Sequence, residues 1–170
     1  NSWALEPRAG IKWQFSPKSS FALAYGVHSR MEKMDVYFVK TQGTGDRSVN
    51  KDLGFTRAHH VMLSYGFKIS DNMNMKIEPY FQQLYDVPVI ADSSYSVLNR
   101  RDFYVENALV NRGKGRNIGV DITLERYLNK GLYYMVTASI FDSKYYGGDR
   151  KWRNTLYNRN FIVNVLGGKE

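Results

Sequence analysis

The chain has no cysteine in its 170 residues, so neither a disulfide framework nor a thiolate metal site can form. Proline is scarce, with 4 residues, and histidine scarcer, with 3. No run of about eighteen apolar residues occurs, which excludes a transmembrane helix. It does not exclude a membrane barrel, because strands that alternate apolar and polar residues leave only a weak hydropathy signal. Low-complexity and collagen-like segments are also missing, and a composition of 43% hydrophobic and 24% charged residues is too apolar for disorder.

Aromatic residues are plentiful, with 13 Tyr and 9 Phe. They favour strands, since large rings pack well on a pleated surface. The net charge of +8 permits anionic partners without choosing among nucleic acid, lipid head groups and acidic ligands. The length suits one ordinary domain. Because the chain opens on NSWALEP and closes on LGGKE, it is expected to be a piece of something longer.

Alternation at period two runs along most of the chain. Ala9, Ile11, Trp13 and Phe15 share one face; SPKSS turns the chain; Phe21, Leu23, Tyr25 and Val27 share the next. After a polar excursion over 30–57, with a short strand expected at Asp35 to Val39, a second hairpin carries His59, Val61, Leu63, Tyr65, Phe67 and Ile69. Its return strand carries Met73, Met75, Ile77, Pro79 and Phe81. Pro79 lacks an N–H and predicts a sheet edge or a bulge there.

A second polar stretch over 86–115 is expected to hold a small hairpin of its own. In the third hairpin Ile118, Val120, Ile122 and Leu124 lie on one side of the expected strand and Asp121 and Glu125 on the other. LNKG then leads into Leu132, Tyr134, Val136, Ala138 and Ile140. A last excursion through DSKYYGGDRKW precedes a final strand with Phe161, Val163 and Val165 on one side. The fold expected is all-β, an antiparallel meander of about seven strands whose connections alternate short and long, as in outer-membrane barrels. In that arrangement the apolar stripes face lipid and Asp121 and Glu125 face a wet lumen. Tyr residues near the strand ends suit a lipid–water interface.

Few residues carry recognisable chemistry. His59 and His60 are adjacent on a strand and point to opposite faces, so they do not jointly grip a metal. GKGRNIG has the wrong spacing for a nucleotide loop and is followed by a strand where a helix is needed. Asp121 and Glu125 lie about 13 Å apart along a strand, too far for a glycosidase pair. Neither a catalytic residue nor a cofactor is expected. Three basic clusters with aromatics, RMEKMDVYF, NRRDFY and DRKWRN, fall in the long connections. From them Arg30, Lys33, Arg100, Arg101, Arg150, Lys151 and Trp152 are candidate contacts for a ligand or for lipopolysaccharide, while nucleic acid is not the expected partner.

The run from Asn111 to Tyr145 followed by WRNTLYNRNFIVNVLGGKE resembles the late barrel strands of TonB-dependent outer-membrane receptors, particularly those of Bacteroidetes. Its pieces are Asn111, Gly113, Gly115 and Asn117; Lys130 to Tyr134; Asp142 to Tyr145; Tyr157 to Asn160; and Leu166 to Glu170. LEPRAGIKWQFSPKSSFALAYGVHSR likewise looks like an upstream hairpin of that family. The resemblance implies a barrel of roughly 22 strands closed by a plug domain, with a periplasmic TonB-type energy transducer acting through the plug. It further implies uptake of a large nutrient such as a siderophore, cobalamin or glycan across the bacterial outer membrane. On this reading residues 1–170 are a partial barrel domain without its plug, whose partners are membrane lipid, the plug and the remaining strands. The alternatives are a soluble β-sandwich binding or adhesion module, and an outer-membrane barrel enzyme marked by His28 or His59 converging with a Ser or Asp.

Overall fold

A computed structural model describes residues 3–40, 48–100 and 106–170. The strands are β1 (Arg8–Ser16), β2 (Ser19–Arg30), β3 (Thr56–Ser70), β4 (Met73–Val89), β5 (Val110–Asn129), β6 (Leu132–Tyr146), β7 (Trp152–Asn154) and β8 (Phe161–Lys169). All eight belong to one sheet, with β1 to β7 adjacent in sequence order and β8 paired with β6, and every pairing is antiparallel. The chain is all-β, as the alternation implies.

β7 and β8 lie along the same edge of β6, the first opposite Lys144–Tyr146 and the second opposite Leu132–Ile140. Together they amount to one seventh strand interrupted at 155–160. The interruption is anchored: Phe141 N donates to Asn160 O at 2.8 Å, Thr155 N donates to Ser143 O at 3.0 Å, and Ser143 N donates to the Asn158 side chain at 3.1 Å.

Short turns at Pro17–Lys18, Asp71–Asn72 and Lys130–Gly131 close the three hairpins. In the last, Lys130 (φ 52°) and Gly131 (φ 74°) both adopt positive φ, the backbone whose twist matches that of the flanking strands. Gly131 relieves the strain at one of these two positions.

Pro79 sits in an interior strand, contrary to the edge or bulge its chemistry predicts. It pairs with Val120 of β5, and no register shift occurs beside it. Instead the β3–β4 ladder skips from Met62↔Tyr80 to Tyr65↔Ile77. The missing N–H is absorbed by omitting rungs on one side.

Two further expectations are corrected in the long connections. Residues 34–37 form a helical turn, α1 (Met34–Tyr37), instead of a strand at Asp35 to Val39. Phe38 N donates to Met34 O at 3.3 Å, and this coiling brings Val36 and Val39 into one cluster with Leu109. Among the described residues of 86–115 there is no separate hairpin; β4 continues to Val89, β5 starts at Val110, and only a bridge from Val89 to Ser96 and a 3-10 turn at Val97–Asn99 lie between.

The buried apolar cluster therefore belongs to the connections, not to the sheet faces. Val36, Val39 and Leu109 form its centre, with Val49, Leu53, Ile90, Tyr95 and Val97 against it. Asn50, 1% exposed, joins two of the connections. Its side chain donates to Asn107 O at 3.0 Å and accepts from Leu109 N at 2.8 Å. Arg100 pairs with Asp35 at 2.6 Å, tying the first long connection to the second.

Candidate functional site

Cross-strand partners share a face, so the register places the stripes directly. Val120 stands opposite Ile140, Ile122 opposite Ala138 and Leu124 opposite Val136; Ile118, Leu132 and Tyr134 have the same parity. The stripe continues through Ile77 and Phe81 of β4, Val61 and Tyr65 of β3, Leu23 of β2 and Ile11 of β1. Val163 and Val165 of β8 extend it the other way. Ile140 is 62% exposed and Ile118 48%, and nothing among the described residues forms a second layer over them. A β-sandwich needs such a layer; within the described residues all strands lie in the single sheet.

The opposite face is polar. Asp121 pairs with Glu78 and Ser139, and Glu125 with Asn74 and Met135. A cavity of ≈ 440 Å³ opens there, its lining including His60, Tyr80, Gln82, Asn117, Asp121 and Tyr157. Side chains link three strands beneath it: Asn117 donates to Gln82 at 2.7 Å, Ser143 to Asn117 at 2.7 Å and Thr155 to Ser143 at 3.0 Å. Tyr157 reaches this cavity because the break between β7 and β8 turns it off the strand path, as bulges often re-aim a side chain. A second concavity of ≈ 400 Å³ lies at the short-turn end, with Lys12, Lys18, Lys68, Lys76 and Glu125 in its wall.

The loop candidates are held separately. Arg30 lies 3.8 Å from Glu32; Lys33 precedes α1; Arg100 is tied to Asp35. Arg101 lies outside the described residues. Arg150 adopts φ 62° in the turn before β7, next to the exposed Lys151, and Trp152 packs against Tyr146 with ring centres 5.4 Å apart and the rings tilted by 56°. Sequence clustering brought these residues together on paper, but different partners hold them in different connections. In the same turn the Arg153 guanidinium grips Asp149 through both terminal nitrogens. That hydrogen bonding holds the Asp149 carboxyl below its usual range.

The histidines separate as their parity requires. His59 lies on the apolar face, where Nδ1 is 2.8 Å from the Tyr25 hydroxyl and the ring stacks on Tyr85 at 5.2 Å. His60 lies on the polar face, 6.1 Å from the His28 ring. The network of Gln82, Asn117 and Ser143 and the bulge-borne Tyr157 were not foreseen. Only the register, which places Asn117 beside both Gln82 and Ser143, reveals them.

No family model matches the sequence, and no curated protein does either. Among solved structures the chain is similar to the FrpB iron transporter from Neisseria meningitidis (F3-3 variant), with a TM-score of 0.59 over 86% of this chain at 15% identity. What is shared is the fold of a section of that transporter. The chain covers 21% of that transporter, about a fifth of its length.

Proposed function

We propose that the chain is a section of wall from a TonB-dependent outer-membrane receptor, with its apolar face toward lipid and its polar face toward the lumen. The uncovered apolar stripe that crosses the whole sheet carries this reading. On β5 the stripe lies between Arg116 and Arg126, which share its face. At about 3.4 Å per residue and a tilt of about 45°, the rise from one arginine to the other is about 24 Å, against roughly 25 Å for the apolar band of such barrels. Short turns at one end and packed long connections at the other fit the periplasmic and outer sides.

At one end β1, and at the other β7 and β8, leave an edge without a partner among the described residues. Unpaired backbone is not tolerated in hydrocarbon, so further strands of a longer parent complete the barrel in this reading. The parent takes up a large nutrient, such as a siderophore, cobalamin or glycan, through a plug engaged by a TonB-type transducer. An iron-bearing substrate gains some support from the FrpB likeness. The wall itself binds and encloses, and catalyses no reaction; its partners are lipid, plug and neighbouring strands.

Single cysteines at Ile122 and Asp121, placed in the full-length parent in native outer membranes, test the orientation. A water-soluble thiol reagent should label position 121 and spare 122. Equal labelling, or the reverse, would sink the reading.

A further inference from the structure

Toward the long connections the apolar stripe of β5 and β6 ends, and the same face continues with Lys114, Arg116, Asp142, Lys144, Tyr146 and Trp152. The register requires this, because Lys114 pairs with Tyr146, Arg116 with Lys144, and Tyr146 with Trp152. Two of the cations are laid over aromatic rings: Arg116 lies 5.7 Å from the Trp152 ring centre and Lys114 5.9 Å from that of Tyr146. Such stacking holds a cation in place while leaving its donors free.

Charge at this rim is unbalanced. Asp142 lies 3.1 Å from Lys144 and 3.8 Å from Arg116, and it also accepts from Asn158 at 3.0 Å. One engaged carboxylate thus serves two cations, with Lys114 beside them. Arg116 Nε is buried and has no hydrogen-bond partner among the described residues. At the other end of the stripe Arg126 stands between Met73 and Tyr134, without a second cation across the ladder.

An anion fits here if it offers several acceptor oxygens to a guanidinium and two ammonium groups, which is the chemistry of phosphate. The rim begins where Ile118 and Ile140 end, so an anion held there is best joined to something apolar that runs along the stripe. We propose that Lys114, Arg116 and Lys144 bind the phosphate of a membrane-lipid head group whose acyl chains lie over Ile118, Val120 and Ile140. The proposal rests on the lipid-facing reading above. It assigns these cations to lipid, leaving the nutrient to the polar face.

Native mass spectrometry of the detergent-solubilised full-length protein, titrated with phosphatidic acid or phosphatidylcholine, tests it. Wild type should hold phosphatidic acid at least about tenfold more tightly, given the attraction of each cation near a lipid surface. The R116Q/K144Q variant should lose that preference, whereas K12Q/K68Q, which removes equal charge from the polar face, should keep it. K114Q/K144Q leaves Arg116 on Trp152 and must also lose the preference, so a folding defect at Arg116 does not shield the idea.

Equal affinity of wild type for the two lipids would overturn the proposal, as would equal loss in K12Q/K68Q. Displacement of the lipid by equimolar inorganic phosphate would also overturn it, by showing a site for free phosphate. The wider reading fails differently: a cysteine at Ile122 would be labelled in phosphatidylcholine bilayers, whereas its protection without any head-group preference sinks only the lipid-phosphate site.

Discussion

The Tyr80 ring lies across Gly119, its partner on the neighbouring strand, so closely that a Cβ on Gly119 would stand 2.6 Å from the Tyr80 hydroxyl oxygen and 2.8 Å from Ile140 O. The same relation recurs between Tyr133 and Gly168, where the added Cβ would meet the Tyr133 hydroxyl at 2.5 Å. In both pairs a ring covers backbone that has no side chain of its own. Gly119→Val should therefore destabilise the protein by about 1–3 kcal/mol through overpacking. Urea-unfolding midpoints of the full-length protein in detergent check this; a Tyr80→Ala background should relieve part of the clash with the ring while leaving that with Ile140 O.

Ile122→Lys places a charge near the middle of the apolar stripe. In a lipid-facing wall it should cost about 2–4 kcal/mol, whereas Thr123→Lys on the polar face should be nearly neutral. Folding titrations into phosphatidylcholine vesicles, read by heat-modifiable gel mobility, separate the two. Equal effects would mean that lipid does not distinguish the faces.

Asn50→Ala removes the partner of Leu109 N and of Asn107 O. Each buried group left unsatisfied costs about 1–3 kcal/mol, and the loss falls on the loop cluster. Limited proteolysis should cut the long connections faster in the variant, while the strands stay protected.

Asp149 supplies a pH test. Its folded carboxyl titrates below the ordinary value because Arg153 donates to it. The contribution of this pair is therefore fully present above the ordinary aspartate pKa and disappears as pH falls through the lowered folded value. Trp152, next to Arg153 in β7, should keep its fluorescence near pH 5 and change only below the usual carboxylate range. Asp149→Asn should abolish that transition; a transition unchanged in the variant would assign it to another group.

Strand positions and faces were legible because alternation at period two survives any change of neighbour. Ile118 to Leu124 needed only one another to mark a face. The loop cations were not legible as a group: Arg100 turns to Asp35, while Trp152 joins Arg116, a residue that the sequence places only in GKGRNIG, ahead of the expected strand. Neither partner is near in sequence to the residue it holds.

Local pattern by itself determined the all-β meander, the three tight turns and the split into apolar and polar faces, since these depend on backbone geometry within a few residues. Tertiary structure decided the rest. Helical coiling at Val36, the omitted rungs at Pro79, the Tyr80–Gly119 contact and the cation rim at Arg116 each depend on which distant strand or connection arrives alongside. Register and loop packing set those meetings, and both are fixed only when the whole sheet assembles.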